Sequence, residues 1–304
     1  MKENDEASKY LTGLTWNVFQ IINETLRPYI FKAGCKLAPE NQLLIVLVRL
    51  RLNMPFTYIS MQTKLALSTT NKYFHKVLDV MYDKLKFLIH WPDRENIFQT
   101  LPPIFKANFP RLTSIIDCFE IFIDRPTNLK ASAQVYSNYK KHITVKFLIC
   151  TSPLGAITFL SSAGGGRSTD NEIVRESGFI DLKYHQPRDQ ILADRGFTLH
   201  DDFGAACSAE LVIPAFTKGK KQLSAMEVET TRKIANVRIH VERVIGMLKE
   251  RFGILSQGSI PLQLIKSKTN SISGATPNIE KLVTVCSSLA NLMPSIVYKE
   301  DGEN

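Results

Sequence analysis

The chain has 304 residues, 44% of them hydrophobic and 22% charged. That is enough apolar material to bury a full core, and too little charge for wholesale disorder. The formal net charge of +9 and a pI near 9.2 favour a polyanionic partner. The five cysteines, Cys35, Cys118, Cys150, Cys207 and Cys286, are far apart and include no Cys-x-x-Cys pair. This argues against a zinc finger or a disulfide framework and fits a reducing compartment. The charged start lacks the apolar run of a signal peptide, and the most apolar stretch, 43–48, is cut short by Arg49 and Arg51. No membrane span is expected.

Residues 1–108 read as helical. Residues 15–29 carry Trp16, Phe19, Ile22 and Leu26 at helical spacing, with Pro28 near the end. Pro39 suits a first helical position, and Leu43, Leu47 and Leu50 continue one face. A short helix at 56–63, the turn Lys64-Leu-Ala-Leu67 and a longer helix capped by Ser68 form a helix-turn-helix pattern within about 37–91. Its second helix would present Thr69, Thr70, Asn71, Lys72 and Lys76 to phosphates or base edges. A plain helical hairpin has the same pattern.

Pro102, Pro103 and Pro110 mark a linker, after which the pattern turns to strands. Apolar runs at 114–123, 144–151 and 156–161 predict three strands, the last two joined by the turn Ser152-Pro-Leu-Gly155. A capping box, Thr169 with Glu172, opens a short helix that Gly178 can close. Two more strands are expected at 190–193 and 211–213. A second capping box, Ser224 with Glu227, opens a long helix running to about residue 252. A last helix is expected within 278–297. The elements predict an α/β fold, a mixed sheet flanked by helices and preceded by the helical region, over 109–297, with a short tail at 298–304.

Three acidic residues stand at telling places. Asp117 lies inside the first strand, where a charge is costly unless paired, protonated or on a metal. A salt bridge or an edge position would also accommodate it. Asp194 follows the apolar run Gln190-Ile-Leu-Ala193 and opens a glycine-containing turn, where open α/β sheets place ligand sites; an ordinary Asx turn is the alternative. Glu242 sits about 100° from the stripe Ile234, Val237, Val241, Ile245, Leu248 and Phe252 of the long helix. There it can reach a strand end, or simply pair with Arg238 one turn earlier. Three converging carboxylates repel one another until divalent cations neutralise them, and hard oxygen ligands suit Mg²⁺ or Mn²⁺.

The runs Ile115-Ile-Asp-Cys-Phe-Glu-Ile-Phe-Ile123, Tyr136-Ser-Asn-Tyr-Lys-Lys-His142, Thr144-Val-Lys-Phe-Leu148, Leu192-Ala-Asp-Arg-Gly-Phe197, Ile213-Pro-Ala-Phe-Thr-Lys-Gly-Lys220 and Arg238-Ile-His-Val-Glu-Arg243 resemble the PIF/Harbinger transposases. The resemblance covers nearly the whole chain and includes the helix-turn-helix segment. It implies an RNase-H-like fold, a metal-dependent DNA endonuclease and strand-transfer activity, and an Asp-Asp-Glu site at Asp117, Asp194 and Glu242 holding Mg²⁺, with Mn²⁺ as substitute. Asp170 matches a further acidic position and is a secondary metal candidate. The alternative within the resemblance is a domesticated, catalytically silent DNA-binding protein. The chain departs from the family pattern at Ala66, Phe119 and Gly164, and has no upstream Cys/His module of the kind some relatives carry.

DNA contacts are expected at Lys140, Lys141 and His142 beside two tyrosines, and at Lys218, Lys220 and Lys221, since basic clusters bind phosphates without reading sequence. The resemblance implies transposon-end DNA and a Myb-like DNA-binding protein as partners, leaves room for a homo-oligomer, and places the protein in the nucleus, with the cytoplasm as a second location.

Overall fold

The computed structural model describes residues 4–31, 35, 37–216, 222, 224–265, 276–295 and 297. The chain forms two compact units: Met1–Leu88 with Ile121–Arg125 and Met247–Met293, and Ile89–Glu120 with Pro126–Gly246 and Pro294–Asn304.

The first unit opens with α1 (Asp5–Thr12), α2 (Trp16–Ile30), α3 (Pro39–Leu52), α4 (Phe56–Thr63) and α5 (Leu67–Leu85). Local chemistry sets their starts. Asn4 accepts the Ala7 N–H, Thr15 accepts the Val18 N–H, and Pro39 occupies the first turn of α3. Helix α5 is capped two residues before the expected Ser68. Its N-cap is Ala66, without a side-chain bond. The turn is made instead by Lys64 in the left-handed region (φ 54°), with Leu65 donating its N–H to the Ser60 carbonyl. Ala66 itself is extended (φ −63°), so alanine there costs the turn nothing that glycine would spare. Phe74, Val77, Leu78 and Met81 of α5 are fully buried, and Phe56 meets Phe74 edge-on at 5.1 Å.

In the second unit, α6 (Arg94–Gln99) and α7 (Pro103–Asn108) precede β1 (Leu112–Phe122). Then follow α8 (Leu129–Gln134), β2 (Tyr136–Ser137), β3 (His142–Thr151), β4 (Ile157–Leu160), β5 (Gly164–Gly165), α9 (Asp170–Glu176), β6 (Gln190–Leu192), α10 (His200–Cys207), β7 (Glu210–Val212) and α11 (Ala225–Arg251). The sheet order is β2-β3-β1-β6-β7. Strand β6 lies parallel to β1 and to β7, whereas β2, β5 and β4 pair antiparallel with successive stretches of β3. This is the mixed sheet with flanking helices that the sequence predicts. Ile116, Leu148, Ile191 and Leu211 from four strands pack with Val174, Phe179, Leu199 and Phe203 in one apolar cluster.

Both expected capping boxes exist. Thr169 and Glu172 bond reciprocally at α9, and Ser224 and Glu227 at α11. Along α11 the buried face is Ile234, Val237, Val241, Val244, Leu248 and Phe252; Val244, not Ile245, fills the fourth place because 3.6-residue spacing drifts from the i,i+4 reading. The chain returns to the first unit at Met247, in the last turns of α11, and continues there through α12 (Leu262–Ile265) and α13 (Asn278–Asn291). The fully buried Lys281 of α13 pairs with Asp79 of α5 at 2.7 Å. Among the described residues, no helix is long and apolar enough to cross a membrane.

Candidate functional site

Strand register sets the two aspartates at equivalent positions on neighbouring chain segments. Ile115 of β1 stands opposite Leu192 of β6 in a parallel pair. Asp117 and Asp194 each lie two residues beyond that shared rung, on adjacent strands running the same way. Each is held alike: Asp117 Oδ1 accepts the Cys118 N–H at 2.8 Å, and Asp194 Oδ1 accepts the Arg195 N–H at 2.7 Å. The second oxygen of each carboxylate is thereby left to other partners.

The helix supplies the third carboxylate together with a cation. Arg238 Nη1 lies 2.8 Å from Glu242 Oε1 and 3.8 Å from Asp194 Oδ2. The i,i+4 pair expected as an alternative to a site role is present, and it reaches across to the strand end. Asp117 feels the same group of charges. Burial pushes its carboxyl up from 3.8 to about 6; the Cys118 N–H and Arg238 pull it down, while Asp170 and Glu242 push it further up.

Asp170, at the first turn of α9, belongs to an adjoining network. Its Oδ1 accepts from Lys146 Nζ at 2.9 Å, and its Oδ2 would meet a Cβ placed on Gly196 at 3.6 Å. Lys146 also donates to the Ser168 carbonyl and lies 3.8 Å from Glu120, whose other oxygen accepts the Thr144 hydroxyl. Burial opposes the charge on Lys146, but the Asp170 bond with the nearby acids wins and raises its proton affinity. Burial, with Asp170 and Asp117 close by, pushes the Cys118 thiol far up, so it stays protonated. Helix α9 is tied to the turn after Asp194 by reciprocal bonds between Asn171 and Thr198, and to α10 by a two-pronged Arg175–Asp202 pair.

Two residues singled out in the sequence, Phe119 and Gly164, serve packing. Phe119 is buried and stacks on Phe147 with ring centroids 5.7 Å apart. A Cβ at Gly164 would stand 2.0 Å from Ile173 Cδ1, so Ile173 fills the space that a larger residue would take. Sequence reasoning did not single out Lys146 or Glu120; their signal is a charged residue in an otherwise apolar strand, the same cue that marks Asp117.

The other expected contact residues are dispersed. Lys140, Lys141 and His142 are exposed at the β2–β3 turn beside Tyr139, with Lys140 Nζ over the Tyr139 ring. On α5, Lys72 is exposed and Thr69 and Asn71 are half-buried. Thr70 is fully buried, its hydroxyl donating to the Ala66 carbonyl, and Lys76 donates to the Ile30 carbonyl. Thr70 therefore does not face solvent. Lys218, Lys220 and Lys221 lie outside the described residues.

Residues 116–291 match the family model described as DDE superfamily endonuclease. The chain belongs to this family. Residues 35–87 match the accompanying model, the helix-turn-helix of DDE superfamily endonuclease, so α4 and α5 form a helix-turn-helix and not merely a helical hairpin. No curated protein and no solved structure matches the chain.

The donor set fits a hard divalent cation in kind, since it is all carboxylate oxygen and includes one half-buried acid crowded by like charge. In spacing it is not drawn together: among the described residues no group of three or more His, Cys, Asp or Glu side chains could hold a metal ion. The charge found among these carboxylates is the Arg238 guanidinium.

Proposed function

We propose that the chain is a divalent-metal-dependent DNA endonuclease of the PIF/Harbinger transposase type, which hydrolyses phosphodiesters at element ends and transfers strands. The observation that carries this reading is the shared rung that sets Asp117 beside Asp194, with Glu242 joined to Asp194 through Arg238. Asp117, Asp194 and Glu242 are the metal ligands, and Asp170, engaged by Lys146, holds the edge of the site. When bound, Mg²⁺ or Mn²⁺ there supplies Lewis-acid activation of the attacking oxygen and neutralises charge at the phosphate.

The chain's own residues orient that chemistry. The Cys118 and Arg195 amides fix one oxygen of each aspartate, and the Asn171–Thr198 clamp fixes the turn after Asp194. DNA is held by Lys140, Lys141 and His142, by Lys218, Lys220 and Lys221, and by Thr69, Asn71, Lys72 and Lys76 of the helix-turn-helix, through phosphates more than bases. Residues 1–108 form the DNA-docking region and 109–297 the RNase-H-like nuclease. A Myb-like DNA-binding protein assists at element ends, and the setting is the nucleus.

The test incubates the full chain with duplexes carrying candidate terminal repeats and Mg²⁺. Cleavage by the wild type that is lost in Asp117→Asn, Asp194→Asn and Glu242→Gln supports the reading. Wild type indistinguishable from Asp117→Asn would sink it, and retained salt-sensitive DNA binding would then identify a silent DNA-binding protein.

A further inference from the structure

Four oxygens of the acidic cluster can be followed to a neighbour. Asp194 Oδ1 is taken by the Arg195 amide, which leaves Oδ2, and that oxygen lies 3.8 Å from Arg238 Nη1. Glu242 Oε1 lies 2.8 Å from the same nitrogen. Asp117, whose Oδ1 is taken by the Cys118 amide, also feels the charge of Arg238. Among the described residues, Arg238 has salt bridges to these two acids, one on its own helix and one at a strand end. A guanidinium gathers carboxylates at hydrogen-bond distance, whereas Mg²⁺ needs its oxygens at about 2.0–2.1 Å. At Glu242 Oε1 the two cations compete for one oxygen at incompatible spacings, and at Asp194 Oδ2 the guanidinium stands at ion-pair distance where a divalent ion would need direct contact.

We propose that Arg238 is an exchangeable internal counter-cation of the acidic cluster, so that pairing with Arg238 and binding of a divalent cation at Asp194 and Glu242 exclude one another. The inference rests on reading these carboxylates as metal ligands. The side chain of Arg238 is 24% exposed and stands on a helix turn, so rotation towards solvent releases both acids without moving the backbone. In this state the chain keeps its like charges together through an attached cation, and a divalent ion must displace that cation before three carboxylates can close on it. Arg238 is a positioning residue whose departure is part of metal loading.

The test measures Mn²⁺ binding directly, by the electron paramagnetic resonance signal of free Mn²⁺, on full-length protein stripped with EDTA. The variants are Arg238→Gln, Arg238→Lys, Glu242→Gln and Arg243→Gln; the last removes the same charge from an exposed neighbouring position. Arg238→Gln is expected to bind Mn²⁺ about fivefold more tightly than wild type, the scale of one partly exposed ion pair. Arg238→Lys should fall between the two, Arg243→Gln within about twofold of wild type, and Glu242→Gln weaker. Thermal unfolding confirms that each variant folds; if Arg238→Gln does not, Arg238→Lys decides the matter alone. Unchanged or weaker binding in the Arg238 variants overturns the exchange, as does an equal gain in Arg243→Gln. If that result comes with weakened binding in Glu242→Gln, the exchange fails and the metal-site reading stands. If no protein binds Mn²⁺, both fail.

Discussion

Replacing Asp117 by asparagine should stabilise the metal-free protein, and the gain should depend on pH. Burial is the largest cause of the raised proton affinity of Asp117, Asp170 and Glu242 add to it, and the Cys118 amide and Arg238 oppose it. A carboxyl whose affinity rises on folding, here from 3.8 to about 6, contributes stability that is fully present below pH 4. That stability is lost as pH rises through 6, because the folded state binds more protons than the unfolded state in between. The full difference corresponds to about 3 kcal/mol, or about 2–3 kcal/mol after local relaxation. Asparagine keeps the shape and can still accept the Cys118 N–H, but carries no charge to bury. In EDTA, Asp117→Asn should therefore exceed wild type by about 2–3 kcal/mol at pH 8, and by well under half of that near pH 4. Urea unfolding read by Trp91, in a Trp16→Phe background, reports the second unit. Adding Mn²⁺ at pH 8 should stabilise wild type and leave Asp117→Asn behind. An asparagine variant no more stable than wild type at pH 8 in EDTA would refute the reasoning.

Other substitutions probe the frame around the site. Gly165→Ala places a Cβ 2.4 Å from the Gln134 carbonyl oxygen, a backbone atom that cannot swing aside, and should cost about 1–3 kcal/mol; Gly246→Ala meets nothing within 4 Å on α11 and should add about 1 kcal/mol. Opposite shifts in melting temperature check both. Phe119→Ala removes a buried ring stacked on Phe147 and should cost about 3–5 kcal/mol in urea unfolding. Asp79→Ala deprives the fully buried Lys281 ammonium of its 2.7 Å partner and should cost about 3–5 kcal/mol, most of which Asp79→Ala with Lys281→Met recovers. If the double variant is as unstable as the single, the buried charge is not what makes the deletion costly.

Much of this fold was legible because its signals are local. The capping boxes at Thr169 and Ser224 are four-residue patterns, and both helices start where those patterns place them. The start of α5 was misplaced by two residues for the converse reason: Ser68 has the chemistry of a cap, but the left-handed Lys64 had already turned the chain, so the N-cap is Ala66 and the helix begins at Leu67. The short helices α6, α7, α8 and α10 were not read, since six to eight residues span about two turns and give little apolar periodicity. Strand β5 is a pair of glycines, with no strand propensity at all. It exists because neither residue has a Cβ, which would collide with Ile173 at Gly164 and with the Gln134 carbonyl at Gly165.

The site was legible in part for a different reason. Each aspartate carries its own local oddity, an acid in an apolar strand or at a strand end, but their equivalent placement is a matter of register, which no window of sequence contains. The rung Ile115–Leu192 joins residues 77 positions apart, and a slip of one residue on either strand would send one aspartate to the opposite face of the sheet. Register also changes how the Arg238–Glu242 pair should be understood. Taken along the helix it is an ordinary ion pair, sufficient by itself to explain a glutamate at position 242. Taken with Asp194 at 3.8 Å from the same nitrogen, it is the point where helix and sheet acids share one cation. A salt bridge and the proposed metal ligation are therefore not rival explanations of Glu242: the Oε1 that the proposal gives to a divalent ion is the one Arg238 pairs with at 2.8 Å.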